Sequence, residues 1–424
     1  MTPYLRKRAL HPPQITSPPP DDLGIVVVIP AYREPQLLRS LQALLDCELP
    51  SGSVEVIVVL NDREGDAPAT TAFHRQRLRE IRAWAERHDH PRRRFFAFYH
   101  GALPHKRAGV GTARKIGMDE AVYRFEGCGQ QGGIIACFDA DSTCAPNYLR
   151  ALEKGFWERP KMPACSIQFA HPLRGEAFSP AVYEAIAAYE LHLRYYLQAQ
   201  RWAGFPHAYH TVGSSMAVRA DAYQQQGGMN RRKAGEDFYF LHKFTPFADF
   251  GELLDTWVYP SPRPSDRVPF GTGRSVGELL GSTQPHHSYA LDTFRDLRVF
   301  LQRAVHWHRP PLAAHWSANL PPSIQDFLRR QDFEAKLREI RENTTDPAAF
   351  RKRFFAWFNA FQLMKYVHFA RDHYHPDRTV AELAGDLIAA SVPAEAAARA
   401  VPTTVYDLLL HYRDWQSRAW AAPR

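Results

Sequence analysis

The chain of 424 residues carries 53 Lys and Arg against 45 Asp and Glu, a formal net charge of +8, and is 45% hydrophobic and 23% charged. That length exceeds the roughly 100–200 residues of one ordinary domain, and the composition lies near the globular average of about 45–50% apolar and about 25% charged, which excludes a chain disordered as a whole. The positive balance favours anionic partners such as nucleotide diphosphates, acidic glycans or anionic membrane surfaces, and with no accompanying nucleic-acid-binding motif it argues against nucleic acid.

Residues 1–22 are basic and Pro-rich without the apolar core of a signal peptide, and are expected to be a flexible N-terminal segment. Next come apolar β-branched runs separated by helical patterns, the alternation of a parallel sheet covered by helices. Residues 24–30 (GIVVVIP) read as a buried strand, and Pro35 opens a helix whose Leu37, Leu38, Leu41, Leu44 and Leu45 share a face. Further strands are predicted at 54–60, 95–99 and 134–138, with helices reaching Arg87 and spanning 109–125. Residues 164–170, 214–218 and 253–259 complete the strands, 181–200 form a long helix and another starts near Glu236. A Pro- and Gly-rich loop, 260–273, follows, and past about 290 the pattern is helical. This divides the chain into 1–22, an α/β domain at 23–275 and a mainly helical region at 276–424.

In the helical region, residues 351–371 (RKRFFAWFNAFQLMKYVHFAR) place an uncharged stretch between basic flanks. It is shorter than the roughly 20 residues of a membrane span. Either it packs as a core helix or it lies in a membrane interface with aromatic anchors. The five cysteines form no CxxC pair and, being odd in number, cannot close into a complete set of intrachain bridges. A cytoplasmic protein is expected, with peripheral contact at the inner face of a membrane as the further option.

Ligands of open parallel sheets bind outside the carboxyl ends of the strands. Strand one leads into Tyr32, Arg33 and Glu34, strand two into Asn61 and Asp62, and strand four into Asp139-Ala140-Asp141. Two aspartates two residues apart on extended backbone emerge on one side, which suits a hard cation such as Mg²⁺ or Mn²⁺ shared with substrate phosphates. The plain alternative is that they end a strand and cap the helix near Pro146. The His286-His287 pair is a candidate third ligand or ordinary packing.

The segments VVVIPAYREPQLLRSLQALL, VEVIVVLND, AGVGTARKIGMDEA, IIACFDADS and AGEDFYF occur in the order shown by family-2 glycosyltransferases, and the sequence resembles that family over roughly 24–260. The resemblance implies a GT-A fold, an α/β Rossmann-like mixed, mostly parallel sheet flanked by helices with a helical C-terminal extension. It implies a nucleotide-diphosphate sugar donor, a divalent metal, an acceptor that is a glycan, a lipid-linked molecule or a small molecule, and inversion at the anomeric carbon. Pro30, Ala31 and Glu34 would border the nucleoside, Asp62 the base or ribose, and Asp139 and Asp141 the ribose and metal. Arg107 or Arg114 would pair with phosphate oxygens through a planar fork, Lys115 being expected as a solvated helix residue. Gly213 and Ser214 would line the donor sugar, glycine letting the ring approach the backbone. Asp237 would be the general base and Glu236 its positioning partner. Arg263 and Arg267 would close the 260–273 loop on the diphosphate.

Other readings are a retaining GT-A enzyme and a non-catalytic nucleotide-sugar-binding scaffold. A nucleotidyltransferase would need a Gly-rich loop where PAYREPQ stands, and a dehydrogenase would need GxGxxG there.

Overall fold

The structure is a computed structural model describing residues 1–267, 270–308, 317–391 and 401–420. In chain order its elements are α1 (Pro3–Arg8), β1 (Leu23–Ala31), α2 (Leu37–Leu45), β2 (Ser53–Arg63), α3 (Pro68–Arg87), β3 (Arg93–Leu103), α4 (Val110–Gly127), β4 (Ile134–Cys137), β5 (Thr143–Cys144), α5 (Tyr148–Glu158), β6 (Ala164–Phe169) and α6 (Pro180–Ala203). Then come β7 (Met216–Arg219), α7 (Ala220–Gln225), α8 (Glu236–Leu241), β8 (Gly251–Tyr259), α9 (Thr272–Leu280), β9 (His287–Ser288) and α10 (Leu291–Ala304). The rest are α11 (Pro322–Arg330), α12 (Phe333–Glu342), α13 (Pro347–Trp357), α14 (Ala360–His373), β10 (Arg378–Thr379), α15 (Val380–Ser391) and α16 (Val405–Gln416).

Two compact units result: Met1–Pro172 with His210–Arg274, and Leu173–Tyr209 with Ser275–Arg424. The chain passes between the units after Pro172, after Tyr209 and after Arg274. The first crossing was not expected, because α6 reads as one more helix of the α/β region. It instead packs on α10, α15 and α16 of the second unit, and its buried Glu190 binds Arg194 and Arg413 there.

The first unit is built on a sheet of strand order β3-β2-β1-β4-β7-β6-β8-β5. β1 pairs in parallel with both β2 and β4. β7 runs antiparallel between β4 and β6, and β6 lies parallel to β8. This is a mixed, mostly parallel α/β sheet with helices on its faces, as expected. β1 and β2 are apolar almost without interruption because both their faces are covered. The sequence continues from β1 to β2 to β3 on one side, while β4 sits on the other. The crevice beyond Ala31 and Cys137 is therefore a topological switch point, where open α/β sheets hold ligands.

α4 crosses behind this crevice and has no apolar stripe. Arg114, Lys115, Asp119, Glu120 and Arg124 are all buried along with its apolar residues, and each meets a partner. Arg124 grips the buried Glu55 of β2 through Nε at 2.8 Å and Nη2 at 2.7 Å. Lys115, expected to be solvated, donates to the Tyr4 hydroxyl at 2.7 Å and to Asp119 at 3.1 Å.

Residues 1–22, expected to be flexible, are a strap laid along α4. Asp119 accepts from the hydroxyls of Tyr4 (2.8 Å) and Tyr223 (2.9 Å) and from the Leu10 N–H (3.2 Å). Glu120 accepts from the Gln14 and Ile15 N–H groups. The strap's polar backbone thus finds partners on the buried acids of this helix. Its Pro-rich, basic composition resembles that of a linker, while the acids that bind it lie about a hundred residues away in the sequence.

In the second unit the aromatic segment 351–371 breaks into α13 and α14. Asn359 caps α14 by accepting from the N–H groups of Phe361 and Gln362. Phe350, Phe354, Phe355, Phe358, Leu363 and Tyr366 are buried, so the segment packs as core. Among the described residues no helix is long and apolar enough to cross a membrane.

Removing a carboxylate from α4 tests the strap. Asp119→Ala would strand the Lys115 ammonium in a buried site, which costs about 3 kcal/mol. A loss of that order is expected in urea unfolding, together with early proteolytic cleavage inside residues 1–15. Wild-type stability would show that Asp119 does not hold the strap.

Candidate active site

The centre of the crevice is Arg114. It leaves the second turn of α4 with its side chain 2% exposed, donating through Nη2 to Asp139 Oδ1 at 2.5 Å and through Nη1 to Glu236 Oε1. Burial alone disfavours the guanidinium charge, but Asp139 and Glu236 more than offset it and hold the group protonated. One cation thus ties a residue just past β4 to the residue that begins α8.

Gly213 explains how the guanidinium fits. A Cβ at position 213 would lie 2.5 Å from Nη1, 2.6 Å from Nη2 and 2.8 Å from Cζ of Arg114. Gly213, expected at the donor sugar, leaves room for Arg114. Ser214, expected beside it at the sugar, is 1% exposed and its hydroxyl faces that of Ser215 at 3.3 Å. Arg114, expected on phosphate, is likewise withdrawn behind the carboxylates that it binds.

Asp139 and Asp141 lie just past β4, with side chains 38% and 26% exposed. The intervening Ala140 is fastened through its carbonyl to the Ser40 hydroxyl at 2.8 Å. Burial pushes the Asp141 carboxyl up to about 7, aided by Asp139 and Glu34 and opposed by Arg267 and Arg263. Those two arginines belong to the loop after β8. Arg263 pairs with Glu34 and stands 3.5 Å from Asp141. Arg267 donates to the Tyr32 carbonyl at 2.8 Å and pairs with Glu34 at 3.2 Å, with Asp141 at 3.9 Å. The loop is therefore already drawn onto the end of β1. Its Val268 and Pro269 lie outside the described residues.

Glu236 and Asp237 open α8, behind Gly235 in the left-handed conformation at φ +68°. Burial pushes both carboxyls up, and Arg114 holds both back. Glu236 is spoken for by Arg114. Asp237 is partly exposed and accepts the N–H of its neighbour Phe238 at 2.8 Å.

The carboxylates Glu34, Asp139, Asp141, Glu236 and Asp237 outnumber the guanidiniums Arg114, Arg263 and Arg267 by two charges. Hard oxygen donors, partly exposed and carrying surplus negative charge, fit a divalent cation of the Mg²⁺ or Mn²⁺ kind. Among the described residues no three His, Cys, Asp or Glu side chains converge as a ready-made cage. The protein would then furnish Asp139 and Asp141, with phosphate and water as the remaining ligands. His286 and His287 belong to the second unit, where His286 packs edge-on against His192, 5.1 Å between centroids, and His287 pairs with Thr379.

Several other residues expected beside the nucleotide have partners within the protein. Pro30 and Ala31 are buried within β1, paired in register with Val59 and Leu60. Asp62 is 1% exposed, accepting from Tyr99, from the Ala102 N–H at 2.7 Å and from Thr71 at 2.8 Å. These bonds pull the carboxyl below its usual range against the opposing effect of burial, and they make Asp62 a clasp between β3 and α3. Glu34 is 2% exposed, held by Arg263 and Arg267. Arg107 is exposed in the turn before α4.

No protein family description and no curated protein sequence matches this chain. Among solved structures, S. aureus TarS 1-349 in complex with UDP-GlcNAc is similar over 93% of this chain and 88% of that one, with 14% identity and a TM-score of 0.38. The same TarS segment in complex with UDP aligns over 94% and 93%, with 13% identity and a TM-score of 0.38. GalNAc-T7 with UDP, GalNAc and Mn²⁺ aligns over 73% of this chain and 54% of its own, with 13% identity and a TM-score of 0.38.

The Gly213–Arg114 fit is open to a double-mutant cycle. Gly213→Ala should cost about 1–3 kcal/mol by overpacking. In an Arg114→Lys background, where the planar head is gone, the same change should cost less by at least about 1 kcal/mol in chemical denaturation. Additive losses would mean that the glycine does not serve the arginine.

Proposed function

We propose that this chain transfers a sugar from a nucleotide-diphosphate donor to an acceptor hydroxyl, with inversion at the anomeric carbon. The observation that carries the reading is the junction at Arg114: the Asp139–Asp141 pair and the Glu236–Asp237 pair flank one crevice at the sheet's switch point. The order of the five sequence segments supports the same reading.

Asp139 and Asp141 are the residues that would hold a divalent cation, whose charge would offset that of the departing diphosphate. Arg263 and Arg267 rest on Glu34 and Asp141, close enough for their planar forks to be shared with diphosphate oxygens. The exposed Arg107 is the remaining candidate for a phosphate contact. Preorganised charges of this kind stabilise a leaving group without reorganising during the reaction.

A sugar hydroxyl is a weak nucleophile at neutral pH, so direct displacement needs a carboxylate to take its proton. Of the acid pair, Glu236 is committed to Arg114, which leaves Asp237 as the base. Burial raises its affinity for a proton, which moves a carboxylate toward the range where a base works best. Glu236 is the positioning residue: its bond to Arg114 fixes the start of α8 relative to Asp139.

Two substitutions test these roles separately. Asp141→Ala should abolish Mn²⁺-dependent binding of the nucleotide donor in calorimetry while the protein stays folded, and unchanged donor affinity would remove Asp141 from the site. Asp237→Asn keeps size and shape, so donor and metal binding should persist while turnover falls by roughly 10²- to 10⁴-fold. Near-normal transfer, or product retaining the donor's anomeric configuration, would overturn the role of Asp237.

A further inference from the structure

Two loops of the first unit bring unpaired cations together beside the acid pair. Lys106 and Arg107 are exposed in the turn before α4, and Arg231, Arg232 and Lys233 are exposed in the stretch before α8. The loops touch: Lys233 Nζ stands 3.4 Å from His105 Nδ1, and a Cβ on Gly109 would lie 3.0 Å from Lys233 Cα. A Cβ on Gly111 would come 2.5 Å from the Arg232 carbonyl, so glycine is what lets the loops close. Among the described residues none of these five cations has a carboxylate partner. Gathering like charges is unfavourable in the free protein, and an anion would relieve it.

The cluster is tied to the chemistry. The Asn230 amide donates to the Glu236 carbonyl at 2.8 Å, and the Arg232 guanidinium lies over the Tyr239 ring of α8, 3.5 Å from its centroid. On the same motif stands Phe270, 56% exposed, whose Cζ would be 3.2 Å from a Cβ on Gly235. The surroundings of Glu236 and Asp237 thus combine exposed cations with one exposed aromatic face. Cations match phosphate, carboxylate or sulfate groups, and an aromatic ring offers an apolar plane to the C–H face of a sugar. A membrane-binding face would join its cations to a broad apolar surface, whereas Phe270 is a single ring.

We propose that the acceptor is an anionic saccharide, its charged groups on Arg231, Arg232 and Lys233 and a sugar ring on Phe270. This rests on the reading of Asp237 as the base, and it adds a substrate class to that reading.

Binding of fluorescent oligogalacturonate and of dextran sulfate oligomers tests it, with neutral dextran of matched length and phosphatidylglycerol vesicles as the other arms. Wild type should bind both anionic saccharides, more weakly as salt rises, and should bind dextran at least about tenfold more weakly. The Arg231→Gln/Arg232→Gln/Lys233→Gln variant should lose about tenfold in affinity for the anionic saccharides, as three exposed ion pairs would give. Phe270→Ala should lose affinity while keeping the salt dependence. Equal affinity for dextran, binding confined to vesicles, or wild-type affinity in the triple variant would each overturn the proposal; wild-type affinity in Phe270→Ala would overturn its stacking half. Binding of UDP and GDP with Mn²⁺, measured in parallel, separates the two readings. Retention of nucleotide by the triple variant shows that the donor site is intact. Loss of nucleotide binding in every protein, with anion binding preserved, would sink the transferase reading and leave the anionic site standing.

Discussion

The buried guanidinium of Arg114 is the constraint on which the crevice depends. Taking a charge out of water costs several kcal/mol, and a pair of counter-charges recovers that only when the geometry is good. Here the recovery comes from two carboxylates on different elements, Asp139 after β4 and Glu236 at the head of α8. Such a bond is poor as a source of stability and effective as a gauge of distance, because either carboxylate left alone would be a buried or half-buried charge without its partner. Gly213 belongs to the same arrangement by being empty where the guanidinium needs room.

α4 extends this logic along its length. Arg114 faces the crevice, Lys115 and Asp119 meet Tyr4 and Tyr223, Glu120 holds the backbone at Gln14 and Ile15, and Arg124 grips Glu55. A helix buried on every side normally carries apolar residues on every side. This one carries charges and meets each with a partner, so its position is set by directional bonds as well as by packing. The N-terminal strap supplies several of those partners and is thereby part of the scaffold beneath the crevice.

Charge is distributed unevenly around the acid pair. The carboxylates of the crevice exceed its guanidiniums, which suits a divalent cation, while the cations before α4 and α8 lie exposed and, among the described residues, without acid partners. The net charge of +8 therefore says little about the crevice itself. Gly235 stands between the two regimes, with Phe270 on it and Glu236 after it.

The main strands of the large sheet and the carboxylates near their ends were legible in the sequence. Burial on both faces leaves an unbroken apolar run, as in β1 and β2, and a strand that stops at a ligand crevice stops in polar residues, as at Glu34 and Asp139. Periodicity records whether a residue is buried and does not record by what. Asp62 near the end of β2 and Glu34 after β1 both read as ligand contacts, yet one is enclosed by Tyr99, Thr71 and Ala102 and the other is clasped by two arginines. Likewise α6 has the pattern of any helix in the α/β region, and only its neighbours α10, α15 and α16 assign it to the second unit. Arg114 joins residues 25 and 122 positions away. Partners at that separation are chosen by how the chain returns to the crevice, and a side chain's chemistry permits many partners until the tertiary fold leaves it two.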